Sequence, residues 1–371
     1  MTSNGPGLGR VVTPFISSLL ALIAAFVVGG IFLEARGKDA LGAYWLMIER
    51  GLASPLGISE TMIKAAPILL VSAGLLIALK AGVWNIGVDG QFLVGALLVG
   101  VVTPAVVDDL PRGLVWLIAA LVGVLGGLLW ALVPALLKVR YGLNEIITTL
   151  MLNYVAVSLT AWSVKGPFRD PNTVAPQTVA IPRASRLPDI PGTDVHVGLL
   201  AGIVAIVVVA LLFRSTTLGF KLWVVGQSVP AATHVGLPVG RLTVFALLAS
   251  GGAAGLAGAS DLLGVKGLFQ GEWQPAYGLT AFALVYLARL QPLWVLPCAY
   301  LFSFLDFGGG VMARSADIPT YFVAMVEGLM LAFLAVATAW ERQDGMLGWS
   351  RWRRARLGTV ESSPDPADES T

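Results

Sequence analysis

The sequence predicts an all-α protein, a polytopic transmembrane helical bundle of about ten spans. Of its 371 residues, 56% are hydrophobic and only 12% are charged, which is about half the charged share of an ordinary soluble domain. The chain also holds 43 glycines, a residue that membrane helices use for close backbone contact. This composition lacks the charged shell that a soluble fold needs, whereas lipid stabilises an apolar exterior.

Hydropathy predicts the spans in chain order. The first, 11–33, is too long for the apolar region of a signal peptide, so we expect a membrane helix. The next nine are expected at about 62–80, 87–104, 114–137, 146–164, 197–213, 241–263, 279–291, 293–308 and 320–340. Pro292 separates the last pair before the final span, because residues preceding a proline tend to leave the helix. A short interfacial helix is expected near Ala43 to Leu56.

Lysine and arginine in the connecting segments predict the orientation, because cytoplasmic loops hold an excess of both. With ten spans, the side of the N-terminus receives the basic residues Lys138, Arg140, Arg214, Lys221 and Arg241, and those after the last span. We therefore expect a cell-membrane protein with both termini in the cytoplasm and the long loop 165–196 outside.

The predicted domain organisation has three parts. Residues 1–10 form a cytoplasmic N-terminus, 11–340 the transmembrane domain and 341–371 a cytoplasmic tail. From Val360 to Thr371 the tail is acidic and contains serine and proline without apolar periodicity, which predicts disorder.

Missing motifs exclude several classes of function. The sequence has no GxxxxGK[ST] loop, no HExxH and no GxSxG. Its one cysteine is Cys298 and its two histidines, His196 and His234, are far apart, so neither a metal centre nor a nucleophile–base pair is indicated. A net charge of +2 does not indicate nucleic acid. We expect a transport protein with no catalytic residues, no cofactor and no metal.

Two energy sources remain open for such a transporter. An ion-coupled carrier places ionisable residues inside the membrane, and Glu327 lies within the last predicted span. The alternative is that the carboxylate of Glu327 forms a hydrogen bond between helices and has no part in ion coupling. Asp89, Asp261 and Asp306 lie nearer the ends of predicted spans. The other source is a separate motor protein, which requires a docking surface on the cytoplasmic side.

The segment 215–241 has the properties of such a surface. It is too polar to span the membrane, and it predicts short helices at Gly219–Val225 and Pro230–His234, with a turn at 226–228. Ser228 suits a helix cap and Pro230 a first turn. The small Ala231 and Ala232 would let the second helix enter a groove of a partner. An ordinary connecting loop explains the residues equally well.

Two further segments place polar residues among apolar runs. The stretch Ala81 to Gly95 and the stretch Tyr141 to Tyr154 supply the candidate path residues Asn85, Asp89, Gln91, Asn144 and Asn153. An interrupted, glycine-rich membrane segment indicates a transport path. The alternative is hydrogen bonding between helices, which contributes about 0.6 kcal/mol for an average contact. Asn144 and Glu145 also suit the start of a helix.

Four stretches resemble one family when taken in order. They are GVWNIGVDGQFLVGA, YGLNEIITTLMLNYVA, TTLGFKLWVVGQSVPAATHVGLPVGR and GLFQGEWQPAYGL. The same order occurs in the permeases of bacterial ABC importers for nucleosides, which are related to the ribose-type and branched-chain amino acid permeases. The resemblance covers about residues 40–340. NEIITTLMLNY followed by a long outer loop resembles the longer of the two permeases in such systems.

The resemblance implies partners and roles. This chain would lie in the lipid bilayer and pair with a second permease subunit, while a cytoplasmic ATP-binding subunit drives both and an extracytoplasmic solute-binding lipoprotein delivers the solute. The residues matching the family's coupling loop are Gly226, Gln227, Ala231, Ala232 and Gly236. The five candidate path residues also match recurring positions.

The chain departs from the family pattern at places that bear on the solute. Asp89 stands where glutamate is frequent, Leu279–Thr280 where Phe-Asp is usual, and Ala288–Arg289–Leu290 where Gly-Arg-Asn is usual. A nucleoside is the expected solute and a simple sugar the alternative within the class, with an ion-coupled carrier using Glu327 as the alternative outside it.

Overall fold

The computed structural model describes residues 9–319 and 321–337, with side chains from residue 19. Within that part of the chain the helices are α1 Gly9–Ala35, α2 Ala40–Gly51, α3 Pro55–Lys80, α4 Val88–Val106, α5 Arg112–Tyr141, α6 Glu145–Lys165, α7 Gly198–Ser215, α8 Thr217–Gln227, α9 Val229–His234, α10 Val239–Asp261, α11 Tyr277–Leu287, α12 Pro292–Ser315 and α13 Tyr321–Ala337. The tail predicted at 341–371, and residues 1–8 of the predicted N-terminus, lie outside the described residues.

The all-α, multi-pass architecture is confirmed. Seven described helices are long and apolar enough to cross a membrane: α3, α4, α5, α6, α7, α10 with the π-turn that follows it, and α12. Shorter apolar helices lie at Leu19–Ala35, Tyr277–Leu287 and Tyr321–Ala337. All ten predicted spans therefore coincide with apolar helices. The exception in length is α11, because its 11 residues extend about 16 Å, roughly half of the hydrocarbon thickness.

The chain divides into two compact units, one made of 1–40 and 321–371 and the other of 41–320. In the smaller unit the rings of Phe32 and Phe322 stack with centroids 6.5 Å apart. In the larger unit α3, α10 and α4 are central, with 78%, 67% and 61% of their apolar windows buried. Helices α6 and α7 are peripheral at 22% each. Their outward faces are apolar, as lipid or a second membrane subunit requires.

Glycine allows the central helices to approach closely. A Cβ added at Gly255 of α10 would overlap the carbonyl oxygen of Gly123 on α5, and one added at Gly127 would overlap that of Gly251. A Cβ at Gly95 of α4 would lie 2.6 Å from the Cα of Gly255. The backbones of three helices therefore meet along a glycine seam, as small residues permit in membrane bundles.

The predicted interruption after α3 is confirmed. Helix α3 ends at Lys80 and α4 begins at Val88, leaving a connector, 81–87, between two buried helices. Gly82 of this connector has a φ of +73°, which glycine adopts without strain.

The two short helices of segment 215–241 are also confirmed. Thr216 caps α8 by accepting a hydrogen bond from the N–H of Gly219 at 3.0 Å, and Ser228 caps α9 by accepting one from Ala231 at 3.3 Å. Pro230 lies in the first turn of α9, as its fixed φ favours. Helix α8 is longer than predicted, so the turn expected at 226–228 is reduced to Ser228.

The loop 165–196 packs on the chain that follows α10. A π-helical turn, Leu262–Lys266, continues α10, and loop N–H groups donate to carbonyls of and after this turn. The bonds are Thr178 to Phe269 at 3.0 Å, Ile181 to Gly267 at 2.7 Å and Leu187 to Leu263 at 3.2 Å. These bonds satisfy the backbone of an irregular segment.

Candidate functional site

A cavity of about 720 Å³ opens in the larger unit where α3 begins and α10 ends. Helices α3, α10 and α12, the loop 165–196 and the segment between α10 and α11 all contribute to its wall. Its lining residues are Glu60, Ile63, Lys64, Ala175, Pro176, Asp261, Val265, Lys266, Gln270, Gly271, Glu272, Trp273, Gln274, Pro275, Tyr277 and Asp306. Most of these side chains are polar or charged, so the wall offers many hydrogen-bond donors and acceptors.

Two polar pairs join the helices around this cavity. Lys64 of α3 forms an ion pair with Asp306 of α12. Asp261, at the end of α10, is only 3% exposed, and its Oδ2 accepts a hydrogen bond from the hydroxyl of Tyr277 at 3.0 Å. Buried carboxylates require such partners, so these pairs hold α3, α10, α11 and α12 together at the cavity.

Trp273 supplies a fixed aromatic surface in the wall. Phe92 and Phe269 each contact its ring edge-to-face, with centroids 5.5 Å away. The Nζ atom of Lys266 lies 5.8 Å from the centroid of the same ring, within cation–π range. These contacts fix the indole in a partly exposed position, so its orientation is set before any solute arrives.

Asn85 and Gln91, two of the candidate path residues, lie elsewhere in the bundle. They are 0% and 1% exposed. Their amides pair reciprocally, Nδ2 of Asn85 with Oε1 of Gln91 at 2.8 Å and Nε2 of Gln91 with Oδ1 of Asn85 at 3.1 Å. Nδ2 of Asn85 also donates to Oγ of Ser250 at 3.0 Å. Asn85 belongs to the connector 81–87, so its pair with Gln91 is local, whereas the bond to Ser250 joins the connector to α10. The solute-path role of both residues stays a prediction.

The other three candidate path residues, Asn153, Asn144 and Asp89, each lie in a different part of the bundle. Asn153 of α6 donates to the carbonyl of Ile86 at 2.7 Å and accepts from the N–H of Gly90 at 2.8 Å, so it secures the connector 81–87. Asn144 is exposed and caps α6 by accepting from Ile146 at 2.9 Å. Asp89 accepts from the N–H of Gly278 at 2.7 Å, one residue from the cavity residue Tyr277.

We predict that Asn85→Ala destabilises the protein by about 1–3 kcal/mol, because the buried amide of Gln91 loses its partner. Thermal unfolding of the purified protein in detergent measures the change. Asn172→Ala, on the exposed loop, is the matched control and should remain within about 0.5 kcal/mol of the wild type. Equal stability of Asn85→Ala and the control would contradict a structural role for this network.

The short helices α8 and α9 form the second feature, at the opposite end of α3. Ala232 is 0% exposed and packs in a core with Ala81 and Val83. A Cβ on Gly226 would overlap the carbonyl oxygen of Lys80. Two of the five predicted coupling residues, Gly226 and Ala232, therefore face the bundle and contact the connector region.

The side of these helices that faces away from the bundle is exposed. The other three predicted coupling residues, Gln227, Ala231 and Gly236, lie there, with the apolar Val229 and Val235 at 52% and 71% exposure. We call this set of five the short-helix surface. It combines two exposed valines with two small residues and one side-chain amide.

His196 closes the loop 165–196 beside α10. It is 1% exposed, and its Nδ1 accepts the N–H of Gly198 at 3.1 Å. Burial lowers the pKa of His196 below its usual 6.5, against a smaller opposing effect of Asp189. Because the folded pKa is lower than the unfolded one, stability present above pH 6.5 is lost as the pH falls through that value.

We therefore expect the backbone amides of 178–197 to lose exchange protection between about pH 7.5 and about pH 5.5. Hydrogen exchange read by mass spectrometry, corrected for intrinsic rates, measures this. His196→Asn keeps an acceptor for Gly198 but does not titrate, so its protection should change less. An identical pH response in both proteins would contradict a role for His196.

The cavity contains residues that the sequence did not single out. Lys64, Lys266 and Trp273 carried no signal of their own, although Trp273 lies in the stretch GLFQGEWQPAYGL. The sequence indicates Asp261 and Asp306 only as carboxylates near the ends of predicted spans. Glu327, the candidate for ion coupling, is on α13 and is 7% exposed.

Comparison with known proteins gives consistent matches. A family model described as the permease component of the branched-chain amino acid transport system matches residues 57–335. The glucose ABC transporter permease protein TsgB13 of Haloferax volcanii is 32% identical, over 87% of this chain and 88% of that protein.

Two relatives are named for nucleosides. The nucleoside ABC transporter permease protein NupB of Lactococcus lactis is 28% identical, over 86% of this chain and 90% of its own length. The guanosine ABC transporter permease protein NupP of Bacillus subtilis is 29% identical, over 86% and 93%. The resemblance drawn from the four sequence stretches is thereby confirmed.

Proposed function

Because the chain belongs to the family of branched-chain amino acid transport system permease components, we propose that it forms half of the solute pathway of an ATP-driven importer. The single observation that carries this proposal is the placement of two features along α3. The polar cavity surrounds Lys64, whereas the short helices pack on Lys80, about 24 Å further along the helix. A solute site and a motor-docking site at opposite ends are what such a subunit requires.

The distribution of basic residues supports the orientation that we propose. The short-helix surface would face the cytoplasm, together with Lys138, Arg140 and both termini, and the cavity and the loop 165–196 would face outward. A cytoplasmic ATP-binding subunit would contact the short-helix surface, and hydrolysis would take place there and not in this chain. A second permease subunit would complete the pathway, and an extracytoplasmic solute-binding lipoprotein would dock over the cavity.

The mechanism we propose is alternating access driven from the short helices. Gly226 and Ala232 transmit movement because they touch the end of α3 and the connector 81–87 without an intervening side chain. That connector is held in turn by Asn85 and Asn153. Displacement of α8 and α9 by the ATPase would therefore reach α3, α4 and α6 directly.

The proposed solute is a nucleoside or a related compound, with a simple sugar as the alternative. Two relatives support the nucleoside and the relative named for glucose supports the sugar. Both solutes present several hydroxyl groups. The carboxylates of the cavity can accept hydrogen bonds from these hydroxyl groups, and the side-chain amides can accept or donate.

The decisive experiment reconstitutes this chain in liposomes with its partner permease, ATPase and solute-binding protein. We expect labelled nucleoside to accumulate inside the liposomes only when ATP is enclosed there, on the side of the membrane where the ATPase lies. This accumulation should not require a proton or sodium gradient. Glu327→Gln should retain ATP-driven uptake. Uptake that follows an ion gradient at constant ATP, and fails in Glu327→Gln, would establish the ion-coupled carrier instead.

A further inference from the structure

The charge of the cavity wall is the observation that reaches beyond transport itself. Four carboxylates line it, from Glu60, Asp261, Glu272 and Asp306, against the ammonium groups of Lys64 and Lys266. Lys64 is engaged by Asp306 in the ion pair between α3 and α12. Three carboxylates therefore remain opposite one lysine, and the wall has an excess of negative charge.

The charged groups come from different elements. Lys266, in the π-turn after α10, lies over the Trp273 ring, while Glu60 belongs to α3 and Asp261 to the end of α10. Asp261 is 3% exposed, so its field is screened by solvent far less than that of a surface carboxylate. Carboxylates therefore outnumber ammonium groups around a solute that lies in this cavity.

We infer that this cavity is a selectivity site of the permease that takes uncharged, hydroxyl-rich solutes and rejects their phosphorylated forms. Hydroxyl groups of such a solute donate to the carboxylates, and the indole of Trp273 contacts an apolar face of a base or a sugar ring. A phosphate monoester carries a charge of about −1.5 to −2 near neutral pH. That charge meets the carboxylates of the cavity wall, which the two lysines balance only in part.

This inference rests on the proposed function, and it adds a property that the delivery protein does not have to supply. A permease that repels phosphate esters at its outer cavity excludes them independently of the selection that the solute-binding protein makes. The discrimination belongs to this chain, so it can be measured without the delivery protein.

The test uses the complex of both permeases and the ATPase in lipid nanodiscs, without the solute-binding protein. Saturation-transfer NMR compares uridine with uridine 5′-monophosphate, and glucose with glucose 6-phosphate. We expect the unphosphorylated member of at least one pair to bind at least about tenfold more tightly than its phosphate. Equal binding of both members in both pairs overturns the inference.

Charge-neutralising variants assign the effect to the cavity. Glu60→Gln combined with Glu272→Gln removes two wall charges at partly or fully exposed positions, so folding should be retained. The preference against the phosphate should fall at least about threefold. Asp108→Asn combined with Asp109→Asn, exposed residues between α4 and α5 outside the cavity, is the matched control and should leave the preference unchanged. An unchanged preference in the Glu60 and Glu272 variant overturns the inference.

Failure of this inference is distinguishable from failure of the proposed function. If the complete reconstituted system imports solute with ATP but the cavity shows no preference, the chain is a permease without this selectivity. If ATP drives no uptake of any tested solute, the proposed function fails whatever the binding measurements show.

Discussion

Replacing Ala231 with arginine should reduce ATP-driven uptake at least about tenfold while the protein folds and inserts normally. Ala231 is exposed on α9 within the short-helix surface, so a long charged side chain would project into the proposed contact with the ATPase. Under the proposed function, the ATPase would then hydrolyse ATP without moving the short helices. Uptake and ATP hydrolysis are measured together in proteoliposomes that contain all subunits.

Two controls make this result specific. Ala231→Ser adds one small polar atom at the same position and should keep most of the uptake. Ala232→Arg changes the neighbouring residue, which is 0% exposed, and should fail to fold because it places a charge in the core with Ala81 and Val83. Normal uptake in a well-expressed Ala231→Arg protein would show that α9 does not dock the motor.

Replacing Gly255 with alanine should destabilise the bundle by on the order of 3 kcal/mol. The added methyl group overlaps the carbonyl oxygen of Gly123, and it also lies 2.9 Å from the backbone nitrogen of Gly127. Backbone atoms of a helix cannot move aside individually, so α5 and α10 must separate along the glycine seam. Thermal unfolding in detergent and the yield of monodisperse protein measure the loss.

Gly252→Ala is the matched control on the same helix. There the nearest atoms belong to the side chain of Leu128, at 3.3 Å, and a leucine can adjust its rotamer at small cost. We expect the thermal-unfolding midpoint of Gly252→Ala to lie close to that of the wild type. A Gly255→Ala protein as stable as Gly252→Ala would refute the close approach of α5 and α10.

Local signals in the sequence were sufficient for much of the fold. The interruption after Lys80, the cap at Ser228, the start of α6 at Glu145 and the break before Pro292 all agree with the structure. Each depends on a few neighbouring residues, because caps, prolines and apolar runs act within one or two helical turns. The length of α11 was less well predicted, since apolar composition alone does not tell a half-length helix from a full span.

The site was predicted less completely. Asn85 and Gln91 are candidates because polar residues in a membrane segment indicate either a path or a contact between helices. Only the structure shows that Asn85 hydrogen-bonds both to Gln91, at the start of α4, and to Ser250 of α10. Ala231 and Ala232 are adjacent and chemically identical, yet one faces outward and the other is in the core, because a helix rotates about 100° per residue.

The sequence by itself determined that this is a helical membrane protein, where several of its helices begin or end, and which family it belongs to, because hydropathy, capping and ordered motifs are properties of contiguous residues. Only the tertiary structure decided which polar residues meet. Lys64 and Asp306 are 242 residues apart in the chain, and Asp261, Trp273 and Tyr277 join them in one cavity wall. Such a cavity arises from the packing of helices against each other, which no local pattern records.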